Sequence, residues 1–218
     1  MKSKLVAISL VSVFAIGLAQ AESLVEGSAD AGKTKSITCG ACHGADGNSV
    51  NPEWPSIAGQ HAPYIVQQLQ AFKGGARANP LMTAQAMILS EQDMADLAVY
   101  FESLPAAPKA VADPALVDKG EALYKGGDRE NSVAACIACH GPGGRGNPAA
   151  MYPSIAGQYA VYTAKQLRDY ASGSRKSDAP TRVMRDIAAR LSEDDIKAVA
   201  SYVQGLYGNV PRTAGAGD

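Results

Sequence analysis

Cys39-Gly40-Ala41-Cys42-His43-Gly44 and Cys136-Ile137-Ala138-Cys139-His140-Gly141 decide how this chain is read. Together they use all four cysteines and two of the three histidines in 218 residues. C-x-x-C-H is the attachment pattern of c-type haem: two thiols add across the vinyl groups and the adjacent imidazole turns back onto the iron. The two-residue spacer puts both sulfurs on one helical turn. Other readings fit less well. A zinc site built from two C-x-x-C pairs gives no reason for a histidine after each pair. A thioredoxin-like motif needs a βαβ setting, whereas the flanks here read as helices. Two C-x-x-C disulfides would be redox-active rather than structural. The pattern therefore predicts two covalently bound haem c groups. Cys39, Cys42, Cys136 and Cys139 are the links, and His43 and His140 are proximal ligands of the iron.

Residues 1–21 read as a secretory signal. Lys2 and Lys4 precede an uncharged, mostly apolar run from Leu5 to Ala19, and Ala19-Gln20-Ala21 has the small-x-small cleavage form. The run of 15 residues is shorter than the ~20 that span a bilayer. The mature chain is expected to begin at Glu22 outside the cytoplasm, in the periplasm, where c-type haem is attached.

The rest is a duplication. Trp54-Pro55-Ser56-Ile57-Ala58-Gly59-Gln60 returns as Tyr152-Pro153-Ser154-Ile155-Ala156-Gly157-Gln158. Tyr64 returns as Tyr162, Gln68-Leu69 as Gln166-Leu167, Leu89-Ser90-Glu91 as Leu191-Ser192-Glu193, and Tyr100 as Tyr202. The offset drifts from 97 at the cysteines to 98 and then 102, as loop insertions in a duplicated domain produce. Expected boundaries are 22–104 for a first domain, 105–113 for a Pro/Ala linker, 114–208 for a second domain and 209–218 for a tail. A domain of ~90 residues buries only a modest core of its own. Haem would supply the missing apolar centre.

The periodicity is helical throughout, which predicts an all-α fold. Ser90 with Asp93 forms a capping box ahead of Met94, Leu97, Ala98 and Phe101, and Ser192 with Asp195 repeats it ahead of Ile196, Val199, Ala200 and Val203. Tyr64 to Lys73 is a second helix stopped by Gly74-Gly75, with Val161 to Tyr170 as its counterpart. Gly32 and Gly120 are expected one or two turns before each cysteine motif, where they admit the helix carrying Tyr100 or Tyr202.

Three histidines cannot make two bis-His irons, and His61, equivalent to Tyr159, reads as a surface residue at a helix start. Methionine is the alternative sixth ligand, its soft thioether suiting ferrous iron. Met82 lies seven residues before Leu89 and Met184 seven before Leu191. Met87 aligns with Ala189, Met94 with Ile196 and Met151 with Glu53, so only Met82 and Met184 are partners. Core filling accounts for Met94 and Met87, but not for a matched pair in polar loops. Pro55 and Pro153 follow His43 and His140 by 12 and 13 residues. A carbonyl near that point would accept the other ring N–H and set the tautomer.

These residues resemble the cytochrome c4 family, dihaem members of the class I c-type cytochromes. The resemblance rests on two C-x-x-C-H-G domains, each with P-x-I-A-G-Q, a Gln-Leu helix, a methionine and an L-S-x-x-D helix. It covers nearly all of the mature chain and is weakest over 22–30 and after Tyr207. It implies two tandem cytochrome c domains packed face to face, with electrons passing between the irons. It assigns Cys39, Cys42, His43 and Met82 to one haem and Cys136, Cys139, His140 and Met184 to the other. It also implies a periplasmic respiratory carrier between a quinol-oxidising cytochrome bc-type complex and a terminal oxidase, often loosely attached to the membrane.

From 22 to 110 there are 5 Lys/Arg against 9 Asp/Glu; from 111 to 218 there are 13 against 12. A field this uneven can orient a charged partner. No basic run or basic-aromatic interleaving points to nucleic acid. With His and Met on both irons no site is open to substrate, so an electron-transfer protein is expected rather than an enzyme. The alternative is the dihaem subunit of a flavin-containing sulfide dehydrogenase. A peroxidase would need one iron to lose its sixth ligand.

Overall fold

The computed structural model describes residues 24–207. The signal sequence expected over 1–21 and the tail over 209–218 lie outside these residues. Ten α-helices and one 3-10 turn form two similar halves among the described residues. The first holds α1 (Ala29–Lys35), α2 (Ile37–His43), α3 (Ala62–Lys73), α4 (Pro80–Met87) and α5 (Glu91–Ser103). The second holds the turn Pro114–Leu116, then α6 (Val117–Gly126), α7 (Ile137–His140), α8 (Ala160–Ala171), α9 (Val183–Ala188) and α10 (Glu193–Gly205). Extended pairing among the described residues is limited to three isolated bridges.

In each half the last helix is the spine. α5 packs on α1 and α3, and α10 packs on α6 and α8. Both spines start at the capping box read from the sequence, Ser90 with Asp93 and Ser192 with Asp195. The crossing of spine and first helix is close because of one glycine. A Cβ on Gly32 would stand 2.1 Å from Asp96 O, and one on Gly120 would stand 2.3 Å from Ala198 O. Tyr100 and Tyr202 lie at the same crossings, as expected. The first crossing is also clamped by charge: Asp96 accepts from Ser28 N, Gln92 Nε2 and Lys35 Nζ, and Lys35 also reaches Asp93. The cores are small. Ala62, Ile65, Leu97, Ala98 and Phe101 form one, with Cys39 packed against it. Leu123, Tyr124, Val133, Val199 and Val203 form another, with Cys136 against it.

The offset drift has specific locations. Gly120 stands 16 residues before Cys136, not one or two turns, because a loop bridged from Asp128 to Val133 is inserted after α6. The single extra residue before Pro153 sits in the turn bridged from Asn147 to Tyr152, where Met151 takes a left-handed backbone with φ 61°. The four further residues fall between Arg175 and Met184.

The two halves meet in a reciprocal seam. Gln60 gives Nε2 to Ser154 O and takes Ser154 N on Oε1; Gln158 gives Nε2 to Ser56 O and takes Ser56 N on Oε1. When each half makes the same contact to the other, the interface is of the twofold kind. His61, at the start of α3 as expected, also belongs to this seam: it is half-buried and Nε2 donates to Arg145 O at 2.6 Å. Its equivalent, Tyr159, donates to Ser49 O from the other side. The segment between the halves is a strap rather than a free tether. Asn48 bonds Pro105 O and Ala107 N, Lys109 Nζ bonds Ser56 Oγ and Gly157 O over the Tyr159 ring, and Gln204 bonds Ala110 O.

Two outcomes follow from the helix crossings. Gly120→Ala should destabilise the protein by about 1–3 kcal/mol, because backbone stands where the methyl must go; denaturant unfolding of the haem-loaded protein measures it. The Asp96 carboxyl is held down to about 2, first by Lys35 and then by Ser28 N–H and Gln92. A depressed carboxyl stabilises the fold above its unfolded pKa, ~3.9, and that contribution is lost as pH falls through the folded value. The difference in melting temperature between parent and Asp96→Asn should therefore be full at neutral pH and shrink on acidification below that range.

Candidate haem sites

α2 carries Cys39, Cys42 and His43 on its last two turns, and α7 carries Cys139 and His140, with Cys136 as its N-cap. Each helix ends at a glycine with positive φ, Gly44 at 84° and Gly141 at 73°, which turns the chain away directly behind the histidine. The chain then folds back. Gly47 O accepts from both Ile57 N and Ala58 N, and Gly144 O accepts from both Ile155 N and Ala156 N. That double anchor brings the preceding prolines onto the rings: His43 Nδ1 lies 2.8 Å from Pro55 O and His140 Nδ1 lies 3.0 Å from Pro153 O.

A carbonyl only accepts, so Nδ1 must carry the proton and the lone pair of a neutral ring must sit on Nε2. Burial keeps the rings neutral. Desolvation lowers the pKa of both; the proline carbonyls oppose it, and the Arg77 charge adds to it at His43. Both histidines are only 7% exposed. No buried side-chain nitrogen or oxygen among the described residues lacks a partner, so each Nε2, which bonds no protein atom, faces open space. A buried, neutral, tautomer-locked imidazole aimed into open space is what a metal ligand requires.

The cysteines are consistent with this. All four are free thiols. Burial raises the Cys39 thiol and pushes Cys136 up to about 11. For Cys39 and Cys136 this is the opposite of the depressed pKa of a reactive thiolate. No three His, Cys, Asp or Glu side chains among the described residues gather as a metal cluster, which removes the zinc reading. Two thiols on one turn beside such an imidazole fit a planar cofactor bonded at its edge and ligated at its iron.

Met82 and Met184 are half-buried and sit on short helices, not in loops. Asn79 caps α4 by accepting Met82 N–H, and Pro80 opens it, an Asn-Pro start that was visible in the sequence. α9 is held differently. Asp178, in the inserted segment, accepts Arg185 N at 2.9 Å and Arg185 Nε at 2.7 Å. α4 packs on α3 and α9 on α8. Among the other methionines, Met94 is 1% exposed and belongs to the core. Met87 is 55% exposed, so core filling does not describe it; it ends α4 pointing outward. Met151 is exposed in its turn.

Comparison with known proteins bears on both halves. The cytochrome c family model matches residues 29–105 and again 117–207. A cytochrome c4 of Pseudomonas aeruginosa is 45% identical over 205 residues, covering 94% of this chain and 100% of that protein. A thiosulfate dehydrogenase electron acceptor of Stutzerimonas stutzeri is 38% identical over 169 residues, covering 76% and 77%. The crystal structure of reduced recombinant cytochrome c4 from Pseudomonas stutzeri superposes with a TM-score of 0.80 at 45% identity, over 83% of this chain and all of that one.

Proposed function

The chain belongs to the cytochrome c4 family of dihaem electron carriers, and from that premise we propose that it carries single electrons in the periplasm from a quinol-oxidising cytochrome bc-type complex to a terminal oxidase. Two covalently bound haem c groups, one in each half, supply the one-electron Fe(III)/Fe(II) couple. In this reading Cys39 and Cys42, and Cys136 and Cys139, hold the two groups. His43 and His140 offer Nε2 to the irons, with Pro55 and Pro153 holding the opposite nitrogen. Met82 and Met184 take the sixth positions. The soft thioether raises the potential, which suits passage of electrons onward to an oxidase.

The duplicated histidine–proline pair, 2.8 and 3.0 Å, carries the reading. It gives both halves the same ligand chemistry, and the seam holds the halves together. With His43 and Met82, and His140 and Met184, holding the irons, no position would be left for substrate, so the reading is of a carrier rather than an enzyme. The described residues include no helix long and apolar enough to cross a membrane. Any attachment to the membrane in this reading is peripheral.

A second reading comes from the relative named for thiosulfate dehydrogenase: this chain takes electrons from such an enzyme. Mixing the oxidised protein with each donor separates the two. Reduction by the quinol-oxidising complex, at rates that match respiration, supports the first. Reduction by thiosulfate dehydrogenase alone favours the second.

The ligand assignment has its own test. Met82→Leu and Met184→Leu should each remove one sulfur-to-iron near-infrared band of the oxidised protein. Met87→Leu and Met94→Leu should leave both. Met82→His and Met184→His should each lower one potential sharply, because imidazole favours Fe(III) and axial ligands tune haem over ~0.8 V. Loss of a band in Met87→Leu but not in Met82→Leu would contradict the assignment.

A further inference from the structure

The helices that carry Met82 and Met184 end alike and begin differently. Ala86 and Ala188, four residues after each methionine, are both fully buried and anchor the C-terminal ends of α4 and α9. The methionines sit in the first turns, where the two halves diverge. In α4 the Asn79 side chain accepts Met82 N–H at 3.0 Å, directly ahead of Pro80. Counting back from Met184, Thr181 and Arg182 stand where Asn79 and Pro80 do. Neither caps α9. Thr181 Oγ1 donates to Asp178 O at 2.9 Å, and Arg182 enters the helix with a left-handed backbone, φ 58°, and no side-chain cap.

The cap of α9 is supplied from outside the helix. Asp178 accepts Arg185 N on Oδ2 and Arg185 Nε on Oδ1. One carboxylate thus satisfies an orphan N–H of the first turn and forms an ion pair at the same time. The pair is buried, with the Asp178 side chain 4% and the Arg185 side chain 13% exposed. Asp178 is itself a fixed post. Its neighbour Ser177 is buried and bonded to Arg175 Nε and to the Tyr170 hydroxyl. Arg175 is in turn held in the seam: it is bridged to Arg77 and donates to Tyr64 and Gln68, as Arg77 donates to Tyr162 and Gln166. The turn of Met184 is therefore held at its N-terminal end by a buried ion pair, and the turn of Met82 by a neutral cap. Removing one partner of a buried pair leaves the other charge unpaired and moves an equilibrium by about a hundredfold or more. Removing a neutral cap moves it by about fivefold.

We infer that Asp178 is the positioning residue for Met184: its carboxylate, clasped to Arg185, keeps the methionine turn of the second half in place, so that loss of the clasp opens the second iron, and not the first, to an outside ligand. The ligand class is a small neutral molecule that binds ferrous iron, such as carbon monoxide. The inference rests on the reading of Met184 as a sixth ligand, and its test separates the two.

The test uses haem-loaded full-length protein and reads the near-infrared bands of the oxidised form and carbon monoxide uptake by the reduced form. Asp178→Asn and Arg185→Gln each break the ion pair. Each should shift Met184 about a hundredfold toward release, remove one band and allow one carbon monoxide to bind per chain. Arg185→Lys, which keeps the charge, and Asn79→Ala should keep both bands and bind no gas. In a Met82→Leu background Asp178→Asn should remove the remaining band; in a Met184→Leu background it should change nothing further. Should Asp178→Asn not load two haems, Arg185→Gln, which keeps the contact of Asp178 to Arg185 N, decides by the same readings. A purely structural role would lower the melting temperature and leave the bands and gas uptake unchanged, and that result overturns the proposal. So does release of Met82 by Asn79→Ala to the same extent. If Met184→Leu leaves both bands, the ligand assignment fails and the proposal falls with it. If Met184→Leu removes a band that Asp178→Asn and Arg185→Gln keep, the clasp alone fails.

Discussion

A single hydrogen bond, made twice, sets the terms for everything else: the imidazole Nδ1–H given to the carbonyl of Pro55 in one half and of Pro153 in the other. It decides the tautomer, and with burial it delivers a neutral Nε2 lone pair into open space. Much of each half serves to place that carbonyl. The glycine behind the histidine reverses the chain, and the doubly accepting carbonyl of Gly47 or Gly144 brings the proline segment back. Beneath it, the glycine crossing of spine and first helix settles where the cysteine helix can lie. The buried clusters, one of five residues in the first half and two of five and three in the second, are small for halves of this size. A haem held through Cys39 or Cys136, which pack against those cores, would extend the apolar centre.

The same short segment performs two tasks. Pro55 holds the histidine, while Ser56 and Gln60, one and five residues on, join the halves. Pro55 and Pro153 thus link the seam to His43 and His140 through a few backbone bonds. The strap from Pro105 to Asp113 is bonded to both halves, so the separation of the two sites is set by packing and not by linker length. A rigid spacing of this kind is what transfer between two redox centres in one molecule requires.

Much of this was legible in the sequence, for physical reasons that can be named. The C-x-x-C-H motif points to its own chemistry and the capping boxes announce the spine helices, while the repeat singles out Met82 and Met184 from five methionines of the mature chain as the ligands proposed here. The seam was missed, although its signal was present. Gln60 and Gln158, Tyr64 and Tyr162, Gln68 and Gln166, and Arg77 and Arg175 all share the offset of 98. The first three pairs read only as markers of duplication because a polar residue at a helix start ordinarily faces water. Buried polar pairing between domains leaves no periodicity. His61 and Tyr159 were opaque for a related reason: unlike residues at one position do the same work, a ring donor reaching a backbone carbonyl of the other half. The helices under Met82 and Met184 were missed because α4 and α9 are short and weakly amphipathic, although Asn79-Pro80 marked the start of the first.

The central claim is that each chain holds two irons, both closed by protein ligands on each axial side. A reductive titration of the purified protein under carbon monoxide tests it most directly. The account predicts uptake of two electrons per chain with the Soret band of the reduced protein unchanged by the gas. Uptake of one electron, or a Soret shift showing carbon monoxide bound to either iron, would contradict it.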